Sequence, residues 1–175
     1  MTPRDISRIV AIEPSSKGFG FAVLERPTRL LDWGVVRVKG RENTERLKRI
    51  DGLIARYQPD FVVLQDTRVR DFRQGTRGRA LIRTIRALTA RRHIQTRCIS
   101  WRTVRDAIAP TGRATKHSVA AAIAARFPEL ASRLPPPRKP WMSADERLAM
   151  FDAVAFAVVA QPADSRRSPP PSRSH

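Results

Sequence analysis

Two apolar runs joined by a short turn open the chain and predict a β-hairpin. The runs cover about 8–13 and 19–25, and the turn between them contains Pro, Ser, Lys and Gly. A third strand-like run, about 30–38, follows after a second short turn, so the three runs read as antiparallel neighbours. The first run ends on an acid, Glu13, which places a carboxylate where the strand leaves the core.

Helical patterns and strand-like runs alternate after the hairpin. Apolar residues have helical spacing over about 42–57 and 76–91, and short strand-like runs occupy 60–65 and 93–99. Further helical patterns begin near Trp101, Thr115 and Ser143, and the last two end near Phe127 and Ala160.

This order of elements predicts an α/β fold. We expect a mixed five-stranded sheet, in which three antiparallel strands precede two parallel ones, flanked by helices on both faces. The arrangement matches the ribonuclease H-like fold. In the last helix, Ser143 followed by Glu146 predicts a capping box at the start.

The length of 175 residues fits one domain with a proper core. We expect the domain to cover 1–160 and a disordered basic tail, rich in Pro, Ser and Arg, to cover 161–175. The longest apolar stretch, 149–160, is too short for a bilayer and contains an acid, so no membrane partner is predicted. The single Cys98 cannot form an internal disulfide, which favours the cytoplasm.

The net charge of +18 predicts a polyanionic partner. A basic surface gains free energy by releasing counterions from a nucleic acid, so nucleic acid is the first candidate. Part of the arginine content can reflect coding bias instead. An anionic membrane surface is less favoured, because no helical pattern pairs a basic face with exposed aromatic residues.

Four acids fall where the predicted fold would bring them together. Glu13 ends the first strand, and Asp66 directly follows the fourth, its predicted parallel neighbour. Adjacent strands lie about 4.8 Å apart, and ligands gather beyond their carboxyl ends. On the last helix Asp152 sits in an apolar face, and Asp145 lies seven residues earlier, only about 20° away around the helix.

Clustered carboxylates repel one another unless a cation lies between them. Their hard oxygen ligands favour Mg²⁺ or Mn²⁺, and two such ions would activate water for phosphodiester hydrolysis. Each acid also has a structural alternative. Glu13 and Asp152 could pair with cationic side chains, Asp66 could form an Asx turn, and Asp145 could favour the helix dipole.

Four segments resemble the bacterial Holliday-junction resolvases of the RuvC type. They are IVAIEPSSKGFGFAVLE, PDFVVLQD, VRDAIAPTGRATKHSVAAAI and FDAVAFAVV, which occur in the family's order and cover most of 8–160. The resemblance implies a metal-dependent endonuclease that acts on branched DNA as a homodimer, in DNA recombination and repair. It also implies that Glu13 and Asp152 take two of the metal-ligand positions, and that Lys116 assists at the scissile phosphate.

The chain departs from the family's pattern at two positions. Gln65 stands where the family has its second glutamate, and Ala149 stands where it has an additional acid. Asp66 could replace the glutamate if the strand ends or bulges there, because consecutive strand residues point to opposite faces. Asp145 could replace the additional acid from one turn further back. Without these replacements the metal site is incomplete.

Arginines concentrate after the fourth strand, where they could follow DNA phosphates or form a merely solvated basic face. Phe72 in this loop could stack on an opened base or have a packing role. The three tryptophans Trp33, Trp101 and Trp141 are predicted to be packing anchors. The candidate nucleic-acid contacts are Lys17, Arg68, Arg70, Phe72, Arg73, Arg77, Arg79, Arg113 and Lys116.

The favoured hypothesis is a metal-dependent, structure-selective endodeoxyribonuclease that resembles a Holliday-junction resolvase. One alternative is a nucleic-acid-binding protein of the same fold that has lost catalysis, as Gln65 and Ala149 suggest. Another is a nuclease of the same fold that acts on an RNA–DNA hybrid.

Overall fold

The computed structural model describes residues 7–25, 28–40, 42–70, 72, 74–109 and 114–160. The predicted tail, 161–175, lies outside the described residues. Within them the elements follow the order expected from the sequence. They are β1 (Arg8–Ser15), β2 (Gly18–Glu25), β3 (Arg29–Arg37), α1 (Asn43–Tyr57), β4 (Phe61–Gln65), α2 (Thr76–Arg91), β5 (Gln95–Ile99), α3 (Trp101–Ile108), α4 (Lys116–Arg126), a 3₁₀ helix (Pro128–Arg133) and α5 (Arg147–Val159).

The five strands form one mixed sheet in the order β3-β2-β1-β4-β5. The β1–β2 and β2–β3 pairs are antiparallel, whereas β1–β4 and β4–β5 are parallel, which confirms the predicted fold class. β1 is therefore the central strand. Its Ala11 pairs with Val63. By strand alternation Glu13 and Gln65, each two residues further on, point to the same face of the sheet.

Side chains of β1 alternate between two hydrophobic cores. Val10 and Ile12 pack with the apolar residues of α1 and α2. Ile9 and Ala11 pack on the other face with α3, α4 and α5. Glu13 continues the second series and therefore points towards α4 and α5.

Helix α5 is buried along most of its length, as its apolar sequence predicts. It begins at Arg147 rather than at Ser143, so the predicted capping box does not form. The Glu146 carboxylate instead makes ion pairs with Lys17 and Arg37, 3.2 and 2.6 Å away. Among the described helices, none is long and apolar enough to cross a membrane.

A glycine in β2 lets the backbone of α5 rest directly on the sheet. Gly20 pairs with Glu13 across the β1–β2 hairpin. A Cβ atom at Gly20 would lie 2.2–2.4 Å from backbone atoms of Ala149 and Met150. No side chain fits at this contact, and the close approach sets Asp152, within the same helix, opposite Glu13.

We expect Gly20→Ala to destabilise the protein by at least about 1–3 kcal/mol, because the helix backbone has to move to admit the methyl group. Urea unfolding monitored by circular dichroism measures the change. Gly52→Ala in α1 is the matched control, since a Cβ there meets no atom within 4 Å. Its helical position predicts a stability gain of up to about 1 kcal/mol. Wild-type stability in Gly20→Ala would contradict the direct contact between α5 and β2.

Candidate active site

Glu13, Asp152 and Lys116 meet at the carboxyl end of β1. Both acids are buried, with exposed fractions of 2% and 1%. Thr115 begins α4 with a capping box, which places Lys116 in the first helical turn. The Lys116 ammonium donates a hydrogen bond to Asp152 Oδ2 at 2.6 Å and lies over the Trp101 ring. The lysine side chain remains 52% exposed, so the group opens to solvent on its side.

Gln74, in the segment before α2, completes the surroundings of Glu13. Its Nε2 donates to Glu13 Oε1 at 2.5 Å and to the Pro14 carbonyl oxygen at 2.7 Å. This amide orients one oxygen of the carboxylate. Sequence reasoning did not find Gln74, because it lies 61 residues from its partner in an irregular segment that carries no motif.

Each buried carboxylate keeps one oxygen without a hydrogen-bond partner. These atoms are Glu13 Oε2 and Asp152 Oδ1. A buried acceptor without a partner is costly, and a hard cation between two such oxygens would remove that cost. The pair therefore fits a Mg²⁺ or Mn²⁺ ion. Among the described residues, however, no group of three or more His, Cys, Asp or Glu side chains could hold a metal ion.

Burial raises the pKa of both acids, and the Asp152 charge adds to the shift at Glu13. Burial, followed by the Asp152 charge, raises the pKa of Glu13 to about 8, although Lys116 and Gln74 oppose the shift. Burial also raises the pKa of Asp152, against the attraction of Lys116. Burial acts to lower the pKa of Lys116, but the charges of Asp152 and Glu13 raise it overall. The site thus favours a proton or a cation between its carboxylates.

Asp66 does not join this group. Pairing of β4 with β5 is regular up to Gln65 and Ile99, and the Asp66 amide still donates to the Ile99 carbonyl. Side chains therefore keep alternating, with Gln65 on the Glu13 face and Asp66 on the α2 face. The Asp66 carboxylate accepts from the Arg68 amide and guanidinium at 3.0 Å, and these hydrogen bonds hold its pKa below the usual range.

Asp145 reaches the edge of the site but is already paired. Its carboxylate accepts hydrogen bonds from the Arg147 amide and guanidinium, which hold its pKa below the usual range. Because α5 begins only at Arg147, Asp145 precedes the helix and lacks the expected position one turn before Ala149. The expected cluster of four carboxylates is therefore reduced to Glu13 and Asp152.

A cavity of about 400 Å³ extends from the two acids towards a basic side. Arg46 and Arg77 line that side. The buried Arg46 guanidinium donates to the Ser16 carbonyl and to Asn43 Oδ1, which fixes the turn after β1. A cavity lined by both carboxylates and guanidinium groups is the complement of a phosphodiester with a bound cation. Sequence reasoning missed Arg46, whose helical position resembles that of any surface arginine.

The predicted nucleic-acid contacts have different surroundings. Arg77 lines the cavity, and Lys17 lies at its edge with Glu146. Phe72 is only 6% exposed and packs in the core beneath the Arg79 guanidinium, so it has the packing role rather than a free stacking face. The Arg68 side chain is exposed and bound to Asp66, and Arg70 is exposed. Arg73 and Arg113 lie outside the described residues.

Comparisons with known proteins agree with the observed fold. The model of the family described as crossover junction endodeoxyribonuclease RuvC matches residues 9–158. A solved structure of Thermus thermophilus RuvC with a Holliday junction substrate has a TM-score of 0.61 and 20% identity, and covers 87% of this chain and 91% of that chain. Another Thermus thermophilus RuvC structure has a TM-score of 0.60 and 20% identity, and covers 87% and 92%. No curated protein matches the chain.

We expect Glu13→Gln to stabilise the metal-free protein at pH 8. The folded-state pKa of Glu13 is about 8, whereas that of the unfolded chain is about 4.3. The folded protein therefore holds an additional proton between these values, and wild-type stability falls as pH rises through them. Glutamine lacks this titration.

Urea unfolding in EDTA at pH 5 and pH 8 measures the effect. Glu13→Gln should gain about 1–3 kcal/mol over wild type at pH 8 and much less at pH 5. Glu129→Gln, at an exposed acid, should leave stability unchanged at both pH values. An equal change at both pH values in Glu13→Gln would contradict the raised pKa.

Proposed function

This chain belongs to the RuvC family of crossover junction endodeoxyribonucleases, and from that premise we propose that it hydrolyses phosphodiesters of branched DNA in the cavity beside Glu13 and Asp152. The observation that carries the proposal is the meeting of these two buried carboxylates, each with an unpartnered oxygen, beside Lys116. They lie beyond the carboxyl end of the central strand, where sheets of this kind bind their ligands.

Glu13 Oε2 and Asp152 Oδ1 are the atoms that would hold Mg²⁺ or Mn²⁺. When bound, such an ion activates water and stabilises negative charge on the phosphate. Two protein carboxylates leave other coordination positions to water and phosphate oxygens, which is common for Mg²⁺. The expectation of two ions rests on the family resemblance.

Gln65 and Gln74 are uncharged amide side chains near the two carboxylates. Gln65 points to the same face of the sheet as Glu13, and as a neutral side chain it adds no negative charge there, where a glutamate would. Gln74 orients Glu13 through Oε1 and leaves Oε2 open. We propose that Gln74 compensates in part for the smaller number of acids by pre-orienting Glu13.

Lys116 is the proposed phosphate-binding residue. Its ammonium is held at Asp152 but remains half-exposed, so it can also reach an oxygen of an incoming phosphate. The two acids raise its pKa, which keeps the ammonium charged at neutral pH. A charged donor at this position would orient the scissile phosphate and oppose its developing negative charge.

Arginines in and around α2 supply the proposed DNA path. Arg77 lines the cavity, Arg70 is exposed in the loop before α2, and Arg79 is exposed two residues after Arg77. The net charge of +18 supports contacts with DNA phosphates. The family resemblance adds a homodimer, since two symmetric cuts in a junction need two sites.

A nucleic-acid-binding protein without catalysis is the second candidate. Gln65 and Ala149 favour it, because the described residues bring two acids together where the family has more. The two candidates predict the same basic surface and differ in whether DNA is cut.

We expect cleavage of a labelled four-way junction in Mg²⁺ or Mn²⁺ to depend on Glu13 and Asp152. Glu13→Gln and Asp152→Asn each remove a metal-ligating charge and should lower the cleavage rate by about 100-fold or more. Asp66→Asn should retain most of the rate, because Asp66 lies on the other face of the sheet. Asp106→Asn, at an exposed acid on α3, is the matched control.

Parallel assays on a linear duplex and an RNA–DNA hybrid of the same sequence define the substrate. Selective cutting of the junction supports the proposal, whereas preferential cutting of the hybrid favours the alternative nuclease. Binding of the junction without cutting in either metal would establish the binding protein instead.

We expect metal binding to release a proton near neutral pH. Most Glu13 carboxyls are protonated at pH 7, because their pKa is about 8, and a cation requires the ionised form. Mn²⁺ affinity should therefore rise with pH up to about 8 and then level off. Calorimetry in two buffers with different ionisation enthalpies measures the released proton.

Glu13→Gln should bind Mn²⁺ more weakly and release no proton. Asp66→Asn should behave as wild type. If Glu13→Gln and wild type have equal Mn²⁺ affinity and equal proton release, Glu13 is not a metal ligand.

A further inference from the structure

A tryptophan beside the candidate active site is exposed to solvent. Trp141 is 78% exposed, and its neighbour Met142 is also exposed. Among the described residues, these are the two exposed large hydrophobic side chains. The prediction that Trp141 is a packing anchor therefore does not hold, whereas Trp33 and Trp101 do pack partly buried against the core. An isolated tryptophan exposed to this degree has no role in stabilising the core.

The chain presents Trp141 on an anchored turn. The Met142 amide donates to the Lys139 carbonyl at 3.0 Å, which closes a turn over residues 139–142. Pro140 occupies the second position, where its fixed φ suits such a turn. The segment is held at its start by a hydrogen bond between His117 Nε2 and the Pro135 carbonyl. The turn and this hydrogen bond restrict the backbone that carries Trp141.

A cation covers one side of the indole ring. Lys139 Nζ lies 5.4 Å from the ring centroid, within cation–π range. The large exposed fraction of Trp141 leaves further ring surface to solvent. Arg138 is also exposed and precedes Lys139 in the chain. The turn thus combines an aromatic surface with two cations.

The turn is connected to the wall of the catalytic cavity. Ala144, Asp145 and Glu146 line that cavity. Ala144 follows Trp141 by three residues, which limits their Cα separation to about 11 Å. Glu146 is fixed to the sheet through Lys17 and Arg37. Trp141 therefore lies within about 11 Å of a residue that lines the cavity in which DNA is proposed to lie.

We propose that Trp141 stacks on an unpaired base of branched DNA while Lys139 and Arg138 contact the adjoining phosphates. This inference rests on the proposed function, because it takes the cavity as the place where DNA lies. The flanking cations and the net charge of +18 favour DNA over a protein partner. Stacking tolerates every base, so the contact would recognise an open strand rather than a sequence.

The contact gives the protein an aromatic platform that Phe72 does not provide. Phe72 is buried beneath Arg79, whereas Trp141 is free to meet a base. A platform at the entrance would distinguish the branch point of a junction from continuous duplex, because the bases of continuous duplex remain stacked on one another. Trp141 is thus a specificity-determining residue for branched substrates.

Binding of labelled oligo-dT and of a matched hairpin duplex to the full chain in EDTA tests the proposal. Trp141→Ala should weaken oligo-dT binding by about 5- to 100-fold, the range for loss of one stacked base, and change duplex binding less than about twofold. Trp141→Phe should keep most of the affinity because it retains an aromatic face. Met142→Ala, which removes the other exposed apolar side chain, should bind as wild type.

Tryptophan fluorescence provides a measurement on the unaltered protein. Oligo-dT should quench wild-type fluorescence, and Trp141→Phe should bind the oligonucleotide without this quenching. Unchanged oligo-dT affinity in Trp141→Ala would overturn the proposal. Equal losses on both DNA forms in Trp141→Ala and Met142→Ala would also overturn it and indicate a general apolar contact.

Junction cleavage measured in parallel separates this inference from the proposed function. Selective single-strand binding through Trp141 without any cleavage would leave the stacking contact intact and refute the nuclease. Efficient cleavage of the junction together with unchanged oligo-dT binding in Trp141→Ala would support the nuclease and refute the stacking contact.

Discussion

The contact between the α5 backbone and Gly20 holds the candidate active site together. Because a glycine stands there, the helix approaches the sheet closely enough to set Asp152 opposite Glu13. Glu13 in turn reaches the same space because it lies near the end of the central strand and points towards α5. Lys116 comes from the start of α4, which packs on the same face. The close backbone contact thus brings the two acids together, and the packing of α4 adds the lysine.

That convergence has an electrostatic cost, and the cost is concentrated where a cation would be bound. Glu13 and Asp152 are buried, each keeps one unpartnered oxygen, and burial raises the pKa of both. Asp66 and Asp145 differ in both hydrogen bonding and pKa. An arginine donates hydrogen bonds to each of these carboxylates and holds its pKa below the usual range. The difference separates acids whose carboxylates are fully satisfied by arginine from acids that each keep one buried oxygen without a hydrogen-bond partner.

Sequence reasoning found Glu13 from the end of a predicted strand and Asp152 from the apolar face of a predicted helix. Lys116 was found through the family resemblance, and the structure brings the three side chains together. Gln74 and Arg46 escaped prediction, because their partners are distant in sequence and no local pattern marks them. The prediction that Trp141 packs in the core was wrong, because composition does not reveal which aromatic side chains are buried.

The sequence by itself determined the order of the strands and helices along the chain and the succession of three antiparallel and two parallel strands, because these follow from local alternation, helical spacing and short turns. Only the tertiary structure decided which acids meet. Which acids meet depends on where α5 begins, on the continued pairing of β4 with β5 beyond Gln65, and on the close contact at Gly20. These are relations between distant segments, whose packing and backbone hydrogen bonds form only when the chain has folded.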